Sequence, residues 1–235
     1  MATTIGNSAP GQETMTSAVT DIFPPNLKTL FIKQEMSVIE LFGVEAKQKY
    51  RVSDGANGAE QNAVFLYISE ESNCAERICC GPNRSLTMKV HQGNSKEGPV
   101  IQTMEKNFSF GCCIRPHFDV YDAGRNKIGS IDDPCRCCLM DQQVLGANGS
   151  TMFTTVGGIC QMGVFCPLCA DVDFEIKKND QKVGGITKKS LTLQDACAKT
   201  NRFSVDFGSL TDAAEKRMAL ASAMLLDLEY FEQQK

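Results

Sequence analysis

Short stretches in which apolar and polar residues alternate run through most of this chain, and they constrain its fold more than any other feature. Asp171-Val172-Asp173-Phe174-Glu175-Ile176 alternates without a break, as does Phe203-Ser204-Val205-Asp206-Phe207. Leu86, Met88 and Val90 interleave with Thr87, Lys89 and His91, and related runs fall at 50–53, 62–70, 100–105, 118–121 and 128–131. Asp54-Gly55, Asn57-Gly58, Gly98-Pro99 and Asp122-Ala123-Gly124 separate them. Successive side chains of a strand point to opposite faces, so a period of two marks strands with one buried face. The Gly, Asn, Asp and Pro residues between runs supply the turns of an antiparallel sheet. Many short strands with little helix predict a mainly β fold, either a closed or nearly closed antiparallel barrel or a sandwich. Residues 1–25 are small and polar and read as a disordered tail ending at Pro24-Pro25, which leaves 26–235 as one domain.

The last segment breaks the pattern. Asp212 is placed as an N-cap, with Glu215 three residues on in capping-box position. Strong helix formers fill 213–231. Within that helix 218–226 carries no charge, between Arg217 and Asp227. At 1.5 Å per residue this stretch covers roughly 14 Å, short of the about 30 Å of a bilayer core. The expected place for it is the interior of the barrel, with Met218, Leu220, Met224, Leu225 and Leu228 as core residues. Insertion in lipid and packing on a partner are the alternatives.

The formal net charge is −4, from 24 Lys and Arg against 28 Asp and Glu. That balance argues against nucleic acid as a partner, because any basic footprint has to be local. Lys177, Lys178, Lys182, Lys188 and Lys189 form a dense basic window with Asp180 as its single acid. The window reads as a solubilising hairpin or as a dock on anionic lipid, where each Lys contributes about 1 kcal/mol. Asp171, Asp173 and Glu175 share one strand face at about 6.6 Å spacing. They form a solvated face or, with a loop, three carboxylates for calcium.

Twelve cysteines narrow the chemistry. The N-terminal segment has neither a basic region nor an apolar run, so no secretory signal is expected, and the thiols are expected reduced rather than in a disulfide framework. Cys79-Cys80, Cys112-Cys113, Cys135-x-Cys137-Cys138 and Cys166-x-x-Cys169 cluster, whereas Cys74, Cys160 and Cys197 stand alone. About half are expected to be small buried apolar residues. Thioester lipidation is a second use. Zinc held by Cys135, Cys138, Cys166 and Cys169 is a third, disfavoured because the two pairs lie further apart than in zinc ribbons. His91 and His117, the only histidines, sit in alternating runs as structural residues. Neither a catalytic triad nor a P-loop, paired-His helix or dinucleotide fingerprint is present, which argues against an enzyme.

Several segments together resemble the phospholipid scramblase family. They are Cys79-Cys80-Gly81-Pro82, the run from Asp171 to Ile176 after a Cys-rich stretch, Val183-Gly184-Gly185-Ile186-Thr187-Lys188, and Leu225-Leu226-Asp227-Leu228-Glu229-Tyr230-Phe231-Glu232. The match runs in order from about Leu27 to the end. The resemblance implies a tubby-like fold, an antiparallel barrel around a central apolar C-terminal helix. It also implies ATP-independent, bidirectional movement of phospholipids between leaflets, triggered by calcium, and acyl-anchored attachment at the cytoplasmic face of the plasma membrane. Cys112 and Cys113 stand where the family carries its acylated run. The family's Pro-rich N-terminal region has no counterpart here. Its calcium segment corresponds to 199–211, where only Asn201 and Asp206 remain as oxygen ligands, with Asp195 and Asp212 outside; calcium wants six to eight oxygens, so tight binding is not expected. Membrane phospholipids are the implied partners, with a homo-oligomer and a soluble pool both compatible. A barrel that binds a lipid or a protein without moving lipid is the competing reading, and a zinc-stabilised interaction domain a further one.

Overall fold

In a computed structural model, residues 20–35, 47–56, 63–111, 113–134, 136, 138–198 and 200–232 are described. Twelve strands follow one another around a closed barrel. They are β1 (Thr29–Gln34), β2 (Lys49–Asp54), β3 (Val64–Glu71), β4 (Leu86–Gln92), β5 (Val100–Lys106) and β6 (His117–Asp122), then β7 (Lys127–Asp132), β8 (Leu139–Gly146), β9 (Thr151–Gly158), β10 (Val172–Lys178), β11 (Gln181–Lys188) and β12 (Arg202–Asp206). Each strand pairs antiparallel with the next. β12 closes the sheet on β1, with Leu30 opposite Val205 and Ile32 opposite Phe203. Closure pairs both edges of the sheet and leaves none to template aggregation.

The alternating runs are strands, and their apolar residues point inward: Val52, Ile68, Val90, Val120, Ile176 and Val205 are all fully buried. β1, β8, β9 and β11 lie outside the alternating runs read from the sequence. β1 buries three consecutive apolar residues, Leu30, Phe31 and Ile32. β8 and β9 bury Gln142 and Thr155, which blurs the alternation.

The enclosed element is the C-terminal helix. Four α-helices are present among the described residues: α1 (Cys74–Cys80), α2 (Met162–Phe165), α3 (Leu193–Ala198) and α4 (Ala213–Leu226), the last continued by a π-helical turn over Asp227–Phe231. Met218, Leu220, Met224, Leu225 and Leu228 are all fully buried, so α4 fills the barrel. Asp212 caps it as expected, accepting from the N–H groups of Ala214 at 3.0 Å and Glu215 at 3.3 Å. Glu215 departs from the capping-box role and instead accepts from Lys178 at 2.5 Å. β7 comes close to α4 at Gly129, where a Cβ would collide with the Leu145 carbonyl and press on the Met218 thioether.

The helix is not uniformly greasy. The Ser222 hydroxyl bonds Thr155 at 2.9 Å and the Gln142 amide at 2.6 Å inside the barrel. Buried Arg217 donates to Gln102 at 3.0 Å and to the carbonyls of Ile101 at 2.5 Å and Thr20 at 3.2 Å. Polar groups taken out of water need such partners, because each orphaned one is destabilising by about 1–3 kcal/mol.

Candidate functional site

Hairpin order sorts the connections by end. Those after β3, β5, β7, β9 and β11 emerge at one end of the barrel, called here the loop end, together with the C-terminus of α4. Those after β4, β6, β8 and β10 emerge at the other. These second connections are tight and polar, with Gly93, Arg125, Gly149, Asn179 and Asp180 all in the left-handed region that sharp turns require.

The loop end has a different composition. Among the described residues, all the large apolar side chains that stand exposed lie there: Ile78 on α1, Phe108, Phe110 and Ile114 after β5, Met162, Phe165 and Leu168 after β9, and Leu193 on α3. Phe165 and Ile78 are 74% exposed and Leu193 78%. Every described cysteine lies there too. None of them is buried, which corrects the expectation that half would be core residues. They lie on the connections between strands rather than on the inward-facing strand positions. Cys113 is exposed; Cys112, Cys135 and Cys137 lie outside the described residues. Cys166 and Cys169 are joined as a disulfide, against the expectation of reduced thiols. The turn after α2, with Cys169 N–H bonded to the Cys166 carbonyl at 2.8 Å, brings their Cα atoms to 5.3 Å.

Beneath this rim the barrel is sealed by buried charge. Arg84 holds Glu70 through two bonds at 2.9 and 3.0 Å and Glu232 at 2.8 Å. Asp227, fully buried at the start of the π-helical turn, accepts from Tyr50 and Asn201, both at 2.6 Å. Burial pushes the Glu70 carboxyl up, but the Arg84 guanidinium overrules it and holds it below the ordinary range. Lys106 Nζ donates to the carbonyls of Arg84 and Asn107 and to Ser109 at 3.1–3.3 Å. Burial, aided by the nearby Arg84 charge, brings the Lys106 ammonium down to about 8. Next to it a cavity of about 240 Å³ opens between the β3–β4 and β5–β6 connections and the π-helical turn, with Lys106, Arg115, Glu229 and Tyr230 in its walls. Arg115 pairs with Asp133 and, at 3.2 Å, with Glu229. Burial drives the Glu229 carboxyl up to about 7 even against Arg115.

The residues read from the sequence fall as follows. Asn201 is buried under the rim, whereas Asp206 ends β12 at the opposite end of the barrel and accepts from Gly208 N–H. The strand between them separates the two by about 16 Å, so they cannot share a calcium ion. Asp171, Asp173 and Glu175 do share the outer face of the β10 region, but each is engaged separately: Asp171 by Lys189 and Ser190, Asp173 by Thr187, Glu175 by Lys177 and Lys182. Among the described residues no three His, Cys, Asp or Glu side chains converge as metal ligands. The lysine window is corrected as a single dock. Lys177, Lys178 and Lys182 lie by the β10–β11 turn, Lys189 at the loop end, and Lys188 is buried with its ammonium 5.0 Å from the Phe231 ring centre. His91 bonds Ser69 and the Gly98 carbonyl, and His117 lies between Asp119 and Asp132. Sequence reasoning missed Arg84, Glu70, Lys106, Arg115 and Glu229. Acidic residues in the last turn of an otherwise apolar helix were the available signal.

The fold and this end of it define a helix-filled antiparallel barrel with an apolar, thiol-bearing rim. The family model described as Scramblase matches residues 9–233, and the chain belongs to that family. It is 27% identical to Phospholipid scramblase 2 of Bos taurus over 96% of this chain and 73% of that protein. It is 27% identical to Phospholipid scramblase 1 of Homo sapiens over 89% of this chain and 66% of that protein. Phospholipid scramblase family member 5 of Homo sapiens is 24% identical over 89% of this chain and 78% of that protein. No solved structure matches.

Proposed function

We propose that this chain accelerates the movement of phospholipids between leaflets, in both directions and without ATP or covalent chemistry, while docked on a membrane by its loop end. The observation that carries this reading is the segregation of exposed apolar side chains and thiols to one end of the barrel, in a chain of the Scramblase family. Among the described residues no helix is long and apolar enough to cross a membrane, and α4 is enclosed, so attachment falls to the rim. Each large side chain moved from water into the acyl boundary contributes about 1.5–3 kcal/mol. A single acyl chain gives only marginal, reversible binding. Thioacylation at Cys112 and Cys113 on the cytoplasmic face of the plasma membrane would supply the second attachment. A charged head group crosses hydrocarbon slowly because it sheds its hydration. Wedging the rim into one leaflet, with the polar groups of Arg115 and Glu229 just beneath it, offers that group a partly hydrated route.

The test is purified protein reconstituted in liposomes carrying a fluorescent lipid in both leaflets, with an impermeant quencher added outside. The expected result is quenching that proceeds past the outer-leaflet half. Quenching that stops at half, with or without calcium, removes the reading. The same traces in calcium and in chelator decide whether calcium is a trigger. The enclosed helix also supports a second reading, a barrel that binds lipid at its rim and moves none; vesicle binding without inner-leaflet quenching selects it.

A further inference from the structure

The connection after β9 carries two cysteines joined to each other, Cys166 and Cys169. Its main chain brings them together by contacts of its own. The Cys166 N–H donates to the Met162 carbonyl and the Cys169 N–H to the Cys166 carbonyl, both at 2.8 Å. The Pro167 carbonyl between them accepts from Leu191 N–H, in the connection after β11, also at 2.8 Å. The base of the loop is closed separately. The Gln161 side chain bonds the Asp173 N–H at 2.7 Å and the Asp173 carbonyl at 2.8 Å. Gly163 lies so close to the returning chain that a Cβ there would stand 2.5 Å from the Ala170 and Asp171 carbonyls. A bond across three positions of sequence removes little chain entropy, and less still from a loop already closed at its base. The Cys166–Cys169 bond is therefore a poor staple for the fold. Two thiols that the backbone keeps within reach instead form and release such a bond with little rearrangement. Cys169 is exposed and Cys166 half-buried, so the pair is approached from solvent through Cys169.

We propose that Cys166 and Cys169 form a reversible thiol–disulfide exchange site whose co-substrate is a low-molecular-weight disulfide of the glutathione type. In the oxidising direction the Cys169 thiolate attacks one sulfur of glutathione disulfide. The Cys169–glutathione bond forms, the S–S bond of glutathione disulfide breaks, and one glutathione leaves as thiolate. The Cys166 thiolate then attacks Cys169 Sγ, which forms the Cys166–Cys169 bond and expels the second glutathione. The protein gives up two electrons and two protons, and glutathione disulfide takes them up as two thiols. Reduction by two glutathione thiols retraces these steps. On a cytoplasmic face, where the reading above places this rim, glutathione keeps thiols reduced and the disulfides that do form are transient or redox-sensing ones. The exchange itself needs no lipid.

The test equilibrates the full chain with glutathione mixtures running from fully reduced to fully oxidised. Samples are quenched in acid and alkylated, and the oxidised fraction of the Cys166–Cys169 peptide is read by mass. Conversion in both directions is expected, with the same fraction reached from reduced and from oxidised starting protein. A pair that stays oxidised in reduced glutathione alone, or stays reduced in glutathione disulfide alone, overturns the proposal, and neither outcome depends on a variant folding. Cys166→Ser is expected to trap glutathione on Cys169, and Cys169→Ser to trap about tenfold less on Cys166. Equal trapping overturns the order of attack. A second arm adds phosphatidylcholine vesicles. Phe165 and Leu168, 74% and 50% exposed, flank the pair, so docking by this end is expected to slow the exchange by about tenfold or more, because charged thiolates and glutathione are kept from lipid. Unchanged exchange on vesicles overturns docking through this connection and leaves the exchange site. Absent exchange with inner-leaflet quenching retained sinks the exchange site and leaves the leaflet-movement reading.

Discussion

Arg84 is a fully buried guanidinium that holds two carboxylates, Glu70 and Glu232. Removing one member of such a set leaves charge stranded in a poorly solvated place. Arg84→Ala is therefore expected to lower the unfolding free energy in urea by about 3–5 kcal/mol, and a loss well under that range would contradict the burial described. Glu229 is a buried carboxyl on which Arg115, Lys106, Tyr230 and Asp141 act electrostatically. Burial raises its carboxyl from 4.5 to about 7. Between those values the unfolded chain has released a proton that the folded protein keeps, so this group makes stability fall as pH rises, and above about 7 the loss is complete. Glu70 acts in reverse: its folded carboxyl lies below the ordinary 4.5, so its contribution is present above that value and is lost as pH falls through the lower one. Urea unfolding of the wild type and Glu229→Gln across this range is expected to show the wild type losing ground to the variant as pH climbs from 4.5 to about 7. Parallel profiles would refute the shift.

At the scale of elements, α4 is the part most legible in the sequence. Its cap at Asp212, its helix formers and its uncharged stretch are all local signals, and its shortness against a bilayer pointed to the barrel interior. What the sequence could not show is how the barrel accepts it: Gly129 lets the β7 backbone come against Met218, and Gln142 and Thr155 answer Ser222. Those partners come from strands far off in the chain. Because Leu225 is fully buried, Leu225→Ala is expected to lower stability by about 2–5 kcal/mol through lost contacts and a cavity, measured by urea unfolding, while flotation with vesicles stays unchanged. Reduced flotation without a loss of stability would mean that α4, not the rim, meets the lipid.

For the whole molecule, the decisive property is the difference between the two ends. If the loop end inserts, Ile78→Ser, Phe165→Ser and Leu193→Ser combined, one change in each of three separate connections, is expected to weaken vesicle flotation by about tenfold or more. Changes in the opposite turns, such as Lys96→Ala and Asn148→Ala, are expected to leave it alone. An equal effect from both sets would mean that the barrel does not dock end-on. This asymmetry was hidden in the sequence because connections alternate between ends: one overlooked strand reassigns every later loop, and β1, β8, β9 and β11 lacked clean alternation. The cysteines were visible as clusters, yet whether they lay in the core, on a wall or on a rim depended on that parity.

Local chemistry alone determined that this chain makes short antiparallel strands and one buried C-terminal helix, because periodicity and capping depend on residues within a few positions of one another. Only the tertiary structure decided that β1 meets β12, that Arg84 reaches Glu232 across 148 positions of sequence, and that thiols and apolar side chains gather at one end. Those facts follow from closure of the sheet, which brings together residues whose separation along the chain carries no record of their contact.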